Sequence, residues 1–137
     1  MDQATLVEIH KEGGQRLIER LAEEGIEVTA AAWLKASDDD RYYLNIATPI
    51  AEEGADLRPA YRRIHAVIRA TPELSWIGAG IINVVSPESP IALGINEING
   101  QFPRPAGFEF GAARFGKTNI ERAYIYPRPA PALVGAK

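Results

Sequence analysis

The fold is decided by two consecutive stretches, Glu27-Val28-Thr29-Ala30-Ala31-Ala32-Trp33-Leu34-Lys35-Ala36 and Tyr42-Tyr43-Leu44-Asn45-Ile46-Ala47-Thr48. Apolar residues recur at every second position in both, and a period of two places alternate side chains on opposite faces of a strand. The intervening Ser37-Asp38-Asp39-Asp40 consists of residues typical of turns. The pattern predicts a β-hairpin, Glu27–Ala36 paired with Tyr42–Thr48.

Helical patterns flank this hairpin on both sides. Thr5-Leu6-Val7-Glu8 is typical of a capping box, and the apolar stripe that follows ends at Gly25, where a left-handed residue closes a helix. Gly13-Gly14 interrupts the stripe, so we expect a bend or a break there. After the hairpin, Asp56 and Pro59 begin an amphipathic helix that Thr71-Pro72 ends.

The second half of the chain predicts a further strand, helix and hairpin. Leu74–Val85 is almost entirely apolar and is expected to form a central strand covered on both faces. Pro90–Asn99 has the spacing of a short helix, and Phe108–Phe115 with Ile120–Tyr126 predicts a hairpin that turns at Gly116–Asn119.

The order α-β-β-α-β-α-β-β indicates an α+β fold. We expect a mainly antiparallel sheet of about five strands, with two to three helices packed largely on one face. Residues 1–126 form one domain in this interpretation. The proline-rich tail, residues 127–137, is expected to be extended or disordered.

Composition excludes several classes of chemistry. The 137 residues include no cysteine and two histidines, His10 and His65, so disulfides, thiolate nucleophiles and cysteine zinc sites are ruled out. The sequence contains no apolar run of the roughly 20 residues that cross a bilayer and no visible secretory signal. We therefore expect a cytoplasmic protein that binds no membrane, metal or cofactor.

Charge is divided unevenly along the chain. Residues 1–57 carry 13 acidic and 5 basic side chains, a net charge of −8, while residues 58–137 carry 5 acidic and 10 basic side chains, a net charge of +5. The total of −3 argues against general nucleic-acid binding as the function. The division permits a local basic surface, or a contact between copies of the chain.

One segment matches a nucleotide-binding motif letter for letter. Gly111-Ala112-Ala113-Arg114-Phe115-Gly116-Lys117-Thr118 fits the pattern G-x-x-x-x-G-K-[ST]. A true phosphate-binding loop leads into a long helix, whereas the residues from Asn119 to Tyr126 are rich in β-formers and stop at Pro127. The favoured interpretation is therefore a hairpin turn.

The strongest candidate binding residues lie on the second helix. Arg58, Arg62, His65 and Arg69 recur at spacings that form one stripe beside the apolar face. Such a row could hold a phosphate, a carboxylate ligand or an acidic partner. Alternatively, it is a solvated helix flank whose arginine stems cover apolar surface.

The aromatic residues of the first hairpin are candidates for an interface. Trp33 and Tyr43 are assigned to a contact, because the face that carries Trp33 must be covered by a helix of the same chain or by another chain. The acidic turn Asp38-Asp39-Asp40 lacks the glycine and glutamate of a calcium loop, and we interpret it as a solubilising tip rather than a metal site.

Three segments together resemble a pattern found in small uncharacterised bacterial proteins of unknown function. They are Ala32-Trp33-Leu34, the run from Tyr42 to Pro49, and the run from Ala60 to Ile64. The resemblance covers roughly residues 14–90. It implies a bacterial, cytosolic, single-domain protein and brings no activity, cofactor or catalytic residue with it.

Taken together, the sequence favours a non-catalytic binding or protein-interaction module that forms a homo-oligomer, with a dimer favoured. The alternative is a small enzyme or ligand-binding domain that recognises an anionic metabolite through the arginine stripe. Possible partners are thus another protein or a small anionic ligand.

Overall fold

The computed structural model describes residues 8–51, 56–101 and 107–127. Within these residues the chain forms helices and strands in an α+β arrangement. The elements are α1 (Glu8–Glu23), β1 (Ala30–Ala36), β2 (Tyr43–Ala47), α2 (Arg58–Arg69), β3 (Ile82–Val85), α3 (Pro90–Gln101), β4 (Phe108–Phe110), β5 (Ala113–Phe115) and β6 (Thr118–Ile125).

The strands form one mixed sheet of six strands. Its order is β3-β2-β1-β6-β4, and β5 pairs with the other end of β6. Strand β3 runs parallel to β2, because the chain crosses over through α2 between them, and the remaining pairs of these strands are antiparallel. The mainly antiparallel sheet predicted from the sequence therefore acquires a parallel edge.

Helices cover both faces of the sheet, not largely one face as the sequence suggested. Apolar residues of α1 and α2 pack with Trp33 and Leu44 in one core. On the opposite face, Ile95 of α3 packs with Ala32 and Leu34 in a second core. The order of elements alone could not show this, because α3 follows the parallel edge strand and crosses to the other side.

The first hairpin is confirmed. Strand β1 pairs antiparallel with β2, with Ala30 opposite Ala47 and Leu34 opposite Tyr43. The alternation in the sequence assigns Ile26, Val28, Ala30, Ala32 and Leu34 to one face and Trp33 to the other. The structure agrees from Ala30 onward, but Ile26 and Val28 pack in the core of the Trp33 face. Strand β1 begins only at Ala30. The alternation of side chains between the two faces of a strand therefore does not apply to Ile26 and Val28.

The prediction for Leu74–Val85 was wrong in two respects. Only Ile82–Val85 is a strand, and it lies at the edge of the sheet. The preceding residues form two short 3₁₀ turns, Pro72–Leu74 and Ala79–Ile81. Backbone bonds from Ser75 and Ile77 to carbonyls three residues back use groups that a strand would have offered to a neighbour.

The second hairpin is confirmed, but its last strand is Thr118–Ile125 rather than Ile120–Tyr126, so the turn is shorter than the predicted Gly116–Asn119. The predicted strand Phe108–Phe115 is broken at Gly111-Ala112 into β4 and β5, which both pair with β6. Gly116 has a φ of 64°, the left-handed conformation that a tight turn requires. The segment that matches the nucleotide-binding motif is therefore hairpin, without the helix that cradles phosphates.

Helix α1 runs unbroken through Gly13-Gly14, contrary to the expected bend. The glycines permit close packing instead. A Cβ at Gly13 would collide with the Trp76 ring, and a Cβ at Gly14 would collide with the Tyr126 hydroxyl. Gly25 ends the helix as predicted, with a φ of 81° and a bond from the Ile26 amide to the Leu21 carbonyl.

A buried hydrogen-bond network lies beneath this glycine pair. Trp33 is 1% exposed, and its Nε1 donates to the Tyr126 hydroxyl over 3.0 Å and to the His10 carbonyl over 3.1 Å. The Tyr126 hydroxyl donates in turn to the Lys11 carbonyl over 2.7 Å. Burial raises the pKa of Tyr126, so this hydroxyl keeps its proton and remains a donor.

Two sequence predictions lie outside the described residues except for one residue each: the capping box Thr5–Glu8, of which Glu8 is described, and the tail 127–137, of which Pro127 is described. Among the helices that are described, none combines the length and apolar character needed to cross a membrane.

Replacing Gly14 with alanine tests the close packing of α1. Alanine favours a helix by about 1 kcal/mol, but overpacking a fixed core costs about 1–3 kcal/mol. Because two hydrogen bonds fix Tyr126, we expect the free energy of unfolding to fall by about 1–2 kcal/mol in urea titrations.

Gly100→Ala is the matched control, since a Cβ at Gly100 in α3 meets no atom within 4 Å. It should leave the free energy of unfolding unchanged or raise it by up to about 1 kcal/mol. Equal effects of the two substitutions would contradict the packing argument.

Candidate functional site

The arginine stripe lies on the exposed flank of α2. This helix buries Ala60, Ile64, Val67 and Ile68 against the sheet. The four-residue spacing that buries these side chains leaves Arg62 on the outer surface. The helix thus fixes a cationic row directly beside the apolar core.

The segment that follows α2 forms a wall facing this row. Leu74 is 1% exposed and anchors the first 3₁₀ turn in the core. Trp76 packs on Gly13 of α1, and Thr71 Oγ1 donates to the Val67 carbonyl over 2.8 Å. The path of residues 75–77 is therefore set by contacts with both helices.

Between this segment and α2 lies a groove with a volume of about 810 Å³, which we call the arginine groove. The residues that line it are Arg58, Tyr61, Arg62, His65, Ile68, Arg69, Ser75 and Ile77. Its lining combines cationic groups with aromatic and aliphatic surface. A ligand that carries both an anionic group and an apolar body would match this combination.

The three arginines of the groove differ in whether they already form an ion pair. Arg58 binds Asp56 closely, with Nη2 to Oδ2 at 3.0 Å and Nε to Oδ1 at 3.1 Å. This pair lowers the pKa of Asp56. Within the described residues neither Arg62 nor Arg69 makes an ion pair, so both guanidinium groups remain available to an anion.

His65 lies between these arginines and stacks on Tyr61, with ring centroids 6.2 Å apart and planes at 22°. Burial lowers the pKa of His65, and the nearby Arg69 charge lowers it further. The imidazole is therefore neutral at pH 7, with one nitrogen to donate and one to accept.

Tyr61 connects the groove to the sheet. Its hydroxyl accepts a hydrogen bond of 3.0 Å from the backbone amide of Val84 in β3. The ring is thereby held in place, and with it the face on which His65 stacks.

All four residues predicted from the stripe are brought together on this one surface: Arg58, Arg62, His65 and Arg69. The sequence did not identify the opposing wall, Ser75 and Ile77, because it assigned both to a strand. The apolar spacing of the helix predicts that Tyr61 and Ile68 lie on its buried face. Their position next to the arginine stripe is a signal that could have placed them at its border.

The two residues predicted to form an interface, Trp33 and Tyr43, lie on opposite faces of the sheet. Helix α1 of the same chain covers Trp33, so this side chain does not lie on the surface, and it supplies no argument for self-association. Tyr43 is partly exposed and lies on the opposite face of the sheet, beside Asn45. The expected dimer stays a prediction.

The acidic turn forms no convergent cluster. Asp38 and Asp40 are exposed, and the Asp40 amide donates to Asp39 Oδ1 over 2.8 Å. Across the described ranges, no group of three or more histidine, aspartate or glutamate side chains is arranged to hold a metal ion.

Comparisons with known proteins found no matching family model, no matching curated protein and no matching solved structure. The resemblance to small bacterial proteins thus stays a prediction, and the geometry of the site is what indicates a function.

Replacing Arg69 with alanine tests the electrostatics of the groove. Removing this positive charge favours the imidazolium, so the pKa of His65 should rise toward its ordinary value of 6.5. The midpoint is measured by following the imidazole signals with pH in an NMR titration.

His10 serves as the internal control. Burial lowers the pKa of His10, which lies on α1 rather than α2, so the midpoint of His10 should not move in the same variant. A change shared by both histidines, or none at His65, would contradict the assigned proximity of Arg69.

Proposed function

We propose that this chain is a non-catalytic binding domain that takes a small anionic ligand with an apolar portion in the arginine groove. The observation that carries the proposal is the placement of Arg62 and Arg69, without ion-pair partners among the described residues, on one concave surface with Ile68 and Ile77. A non-catalytic binding module is the function that the sequence favours, and an anionic ligand is what its alternative would recognise through the arginine stripe. A binding domain for an anionic ligand combines the two.

The positions of the two arginines bear on how the anion is held. They are seven residues apart on α2, which corresponds to about 10 Å along the helix axis. Long arginine side chains can converge across this distance on one phosphate or carboxylate. His65 lies between them and can add a hydrogen bond in its neutral form.

The surroundings of His65 favour binding over catalysis. Within the part of the chain that the structure describes, burial and the Arg69 charge lower its pKa, and no carboxylate is among these influences. A histidine that acts as a general base is usually oriented by an acidic partner. Its stacking on Tyr61 instead fixes the ring as part of the groove wall.

Ligand binding to the folded state raises the melting temperature Tm, which gives a direct test. The probes are inorganic phosphate, phenyl phosphate and phenylacetate. At a hundredfold excess over Kd, binding stabilises the fold by about 2.7 kcal/mol, or several degrees in Tm. Phenyl phosphate should bind more tightly than inorganic phosphate, because its ring contacts Ile68 and Ile77.

The double substitution Arg62→Ala with Arg69→Ala should abolish these shifts. Arg63→Ala is the matched control, because Arg63 is an exposed neighbour on the same helix that lines a different surface. A general salt effect would persist in the double variant. No shift with any of the three anions, or equal loss in both variants, would refute the proposal.

A further inference from the structure

A second cavity, of about 350 Å³, lies on the face of the sheet that carries α3. We call it the amide pocket. Its lining residues are Leu34, Ala36, Tyr43, Asn45, Gly80, Ile82, Asn83, Ile91, Thr118 and Ile120. It has the size of a small-molecule site, for which volumes start at about 300 Å³.

The pocket follows from how α3 covers the sheet. A helix of 12 residues is about 18 Å long, and α3 packs through Ala92, Ile95 and Ile98 on the alanine-rich part of β1. The far ends of β1 and β2 extend beyond it. Ile91, in the first turn of α3, forms the boundary between the packed core and the open end.

The tip of the second hairpin closes the other side. A Cβ at Gly116 would lie 2.6 Å from Pro90 Cβ, so the turn approaches the start of α3 closely. Thr118 and Ile120 of β6 extend from this tip along the pocket. The walls thus come from separate elements whose packing holds them in fixed positions.

Two asparagines supply the amide groups of the lining, whose other polar side chains are Tyr43 and Thr118 among the described residues. The parallel register places Asn45 opposite Asn83. Asn83 Nδ2 donates to Asn45 Oδ1 over 2.6 Å, and Asn45 Nδ2 donates to the Tyr43 carbonyl over 3.1 Å. Asn45 is 4% exposed, so the pair holds a polar group at the base of an apolar site.

This pair leaves hydrogen-bonding capacity for a ligand. Each amide has two N–H hydrogens and an oxygen that accepts. The bonds between described residues use one hydrogen of each asparagine and Asn45 Oδ1. A second hydrogen on each amide and Asn83 Oδ1 therefore remain, so the pair can both donate and accept.

Among the lining residues that the structure describes, none carries a charged side chain. An ion that entered the pocket would lose hydration without meeting an opposite charge, which costs far more than burying an amide with its hydrogen bonds made. The lining therefore selects against charge, in contrast to the arginine groove.

We propose that the amide pocket binds a small, uncharged, mainly apolar molecule with an amide group that hydrogen-bonds to Asn45 and Asn83. The apolar body lies against Leu34, Ile91 and Ile120, and the amide of the ligand pairs with the asparagine amides. This site is separate from the arginine groove and does not depend on an anion there.

The test is a titration of the full chain with acetanilide, followed by the NMR signals of the backbone and of the asparagine side-chain amides. Toluene lacks the amide, and benzylammonium adds a positive charge to a ring of similar size. We expect acetanilide to shift the side-chain signals of Asn45 and Asn83 and to bind about tenfold more tightly than toluene, the value of one net hydrogen bond. Benzylammonium should leave both signals unchanged.

Two kinds of variant complete the experiment. Asn45→Leu with Asn83→Leu removes both partners together, which avoids leaving one buried amide unpaired, and should abolish the preference for acetanilide over toluene. Ile91→Trp should fill the pocket and abolish binding. Leu93→Trp is its matched control on α3, since Leu93 is 58% exposed and does not line the pocket.

Several results would overturn the proposal. These are the absence of any shift at Asn45 and Asn83, equal affinities for acetanilide and toluene, binding of benzylammonium at the same signals, or equal loss in the two tryptophan variants. If a variant fails to fold, the titration of the unaltered chain still decides between these outcomes.

Discussion

The hydrogen bond from Trp33 to the Tyr126 hydroxyl is the interaction from which the rest of the structure is positioned. It joins the central strand β1 to the residue that follows β6, and Tyr126 carries the connection to the backbone of α1 at Lys11. With α1 fixed at this depth, Gly13 receives the ring of Trp76. The arginine groove therefore depends on a core contact that no residue of the groove makes.

The sequence predicted the structural features that depend on residues close to one another along the chain. The hairpin of β1 and β2, the ending at Gly25 and the stripe from Arg58 to Arg69 follow from local period and turn chemistry. Prediction from the sequence failed where contacts between residues far apart along the chain determine the structure. An apolar run such as Leu74–Val85 looks the same as strand or turn, and Ser75 and Ile77 become a wall only because Trp76 meets α1. The pairing of Asn45 with Asn83 needs a parallel register that local pattern does not contain.

The two faces of the sheet differ in the chemistry that they present. Helices α1 and α2 cover one face, and the outer flank of α2 supplies guanidinium groups. One helix, α3, covers part of the other, and the uncovered end is lined by uncharged side chains. The face covered by two helices thus has the charged arginine groove at its border. The face covered by one helix has the uncharged amide pocket over the exposed end of the sheet. Different substitutions can therefore separate the two surfaces experimentally.

The hydrogen bond between the Tyr61 hydroxyl and the Val84 amide has a consequence for how copies of this chain can meet. Strand β3 lies at the end of the sheet and is four residues long. An exposed edge is a template on which a foreign strand can add, and natural proteins protect such edges with short strands and covering groups. Tyr61 occupies a donor that an incoming strand would need. Growth of the sheet into fibres from this side is thereby opposed by the same aromatic ring that supports His65.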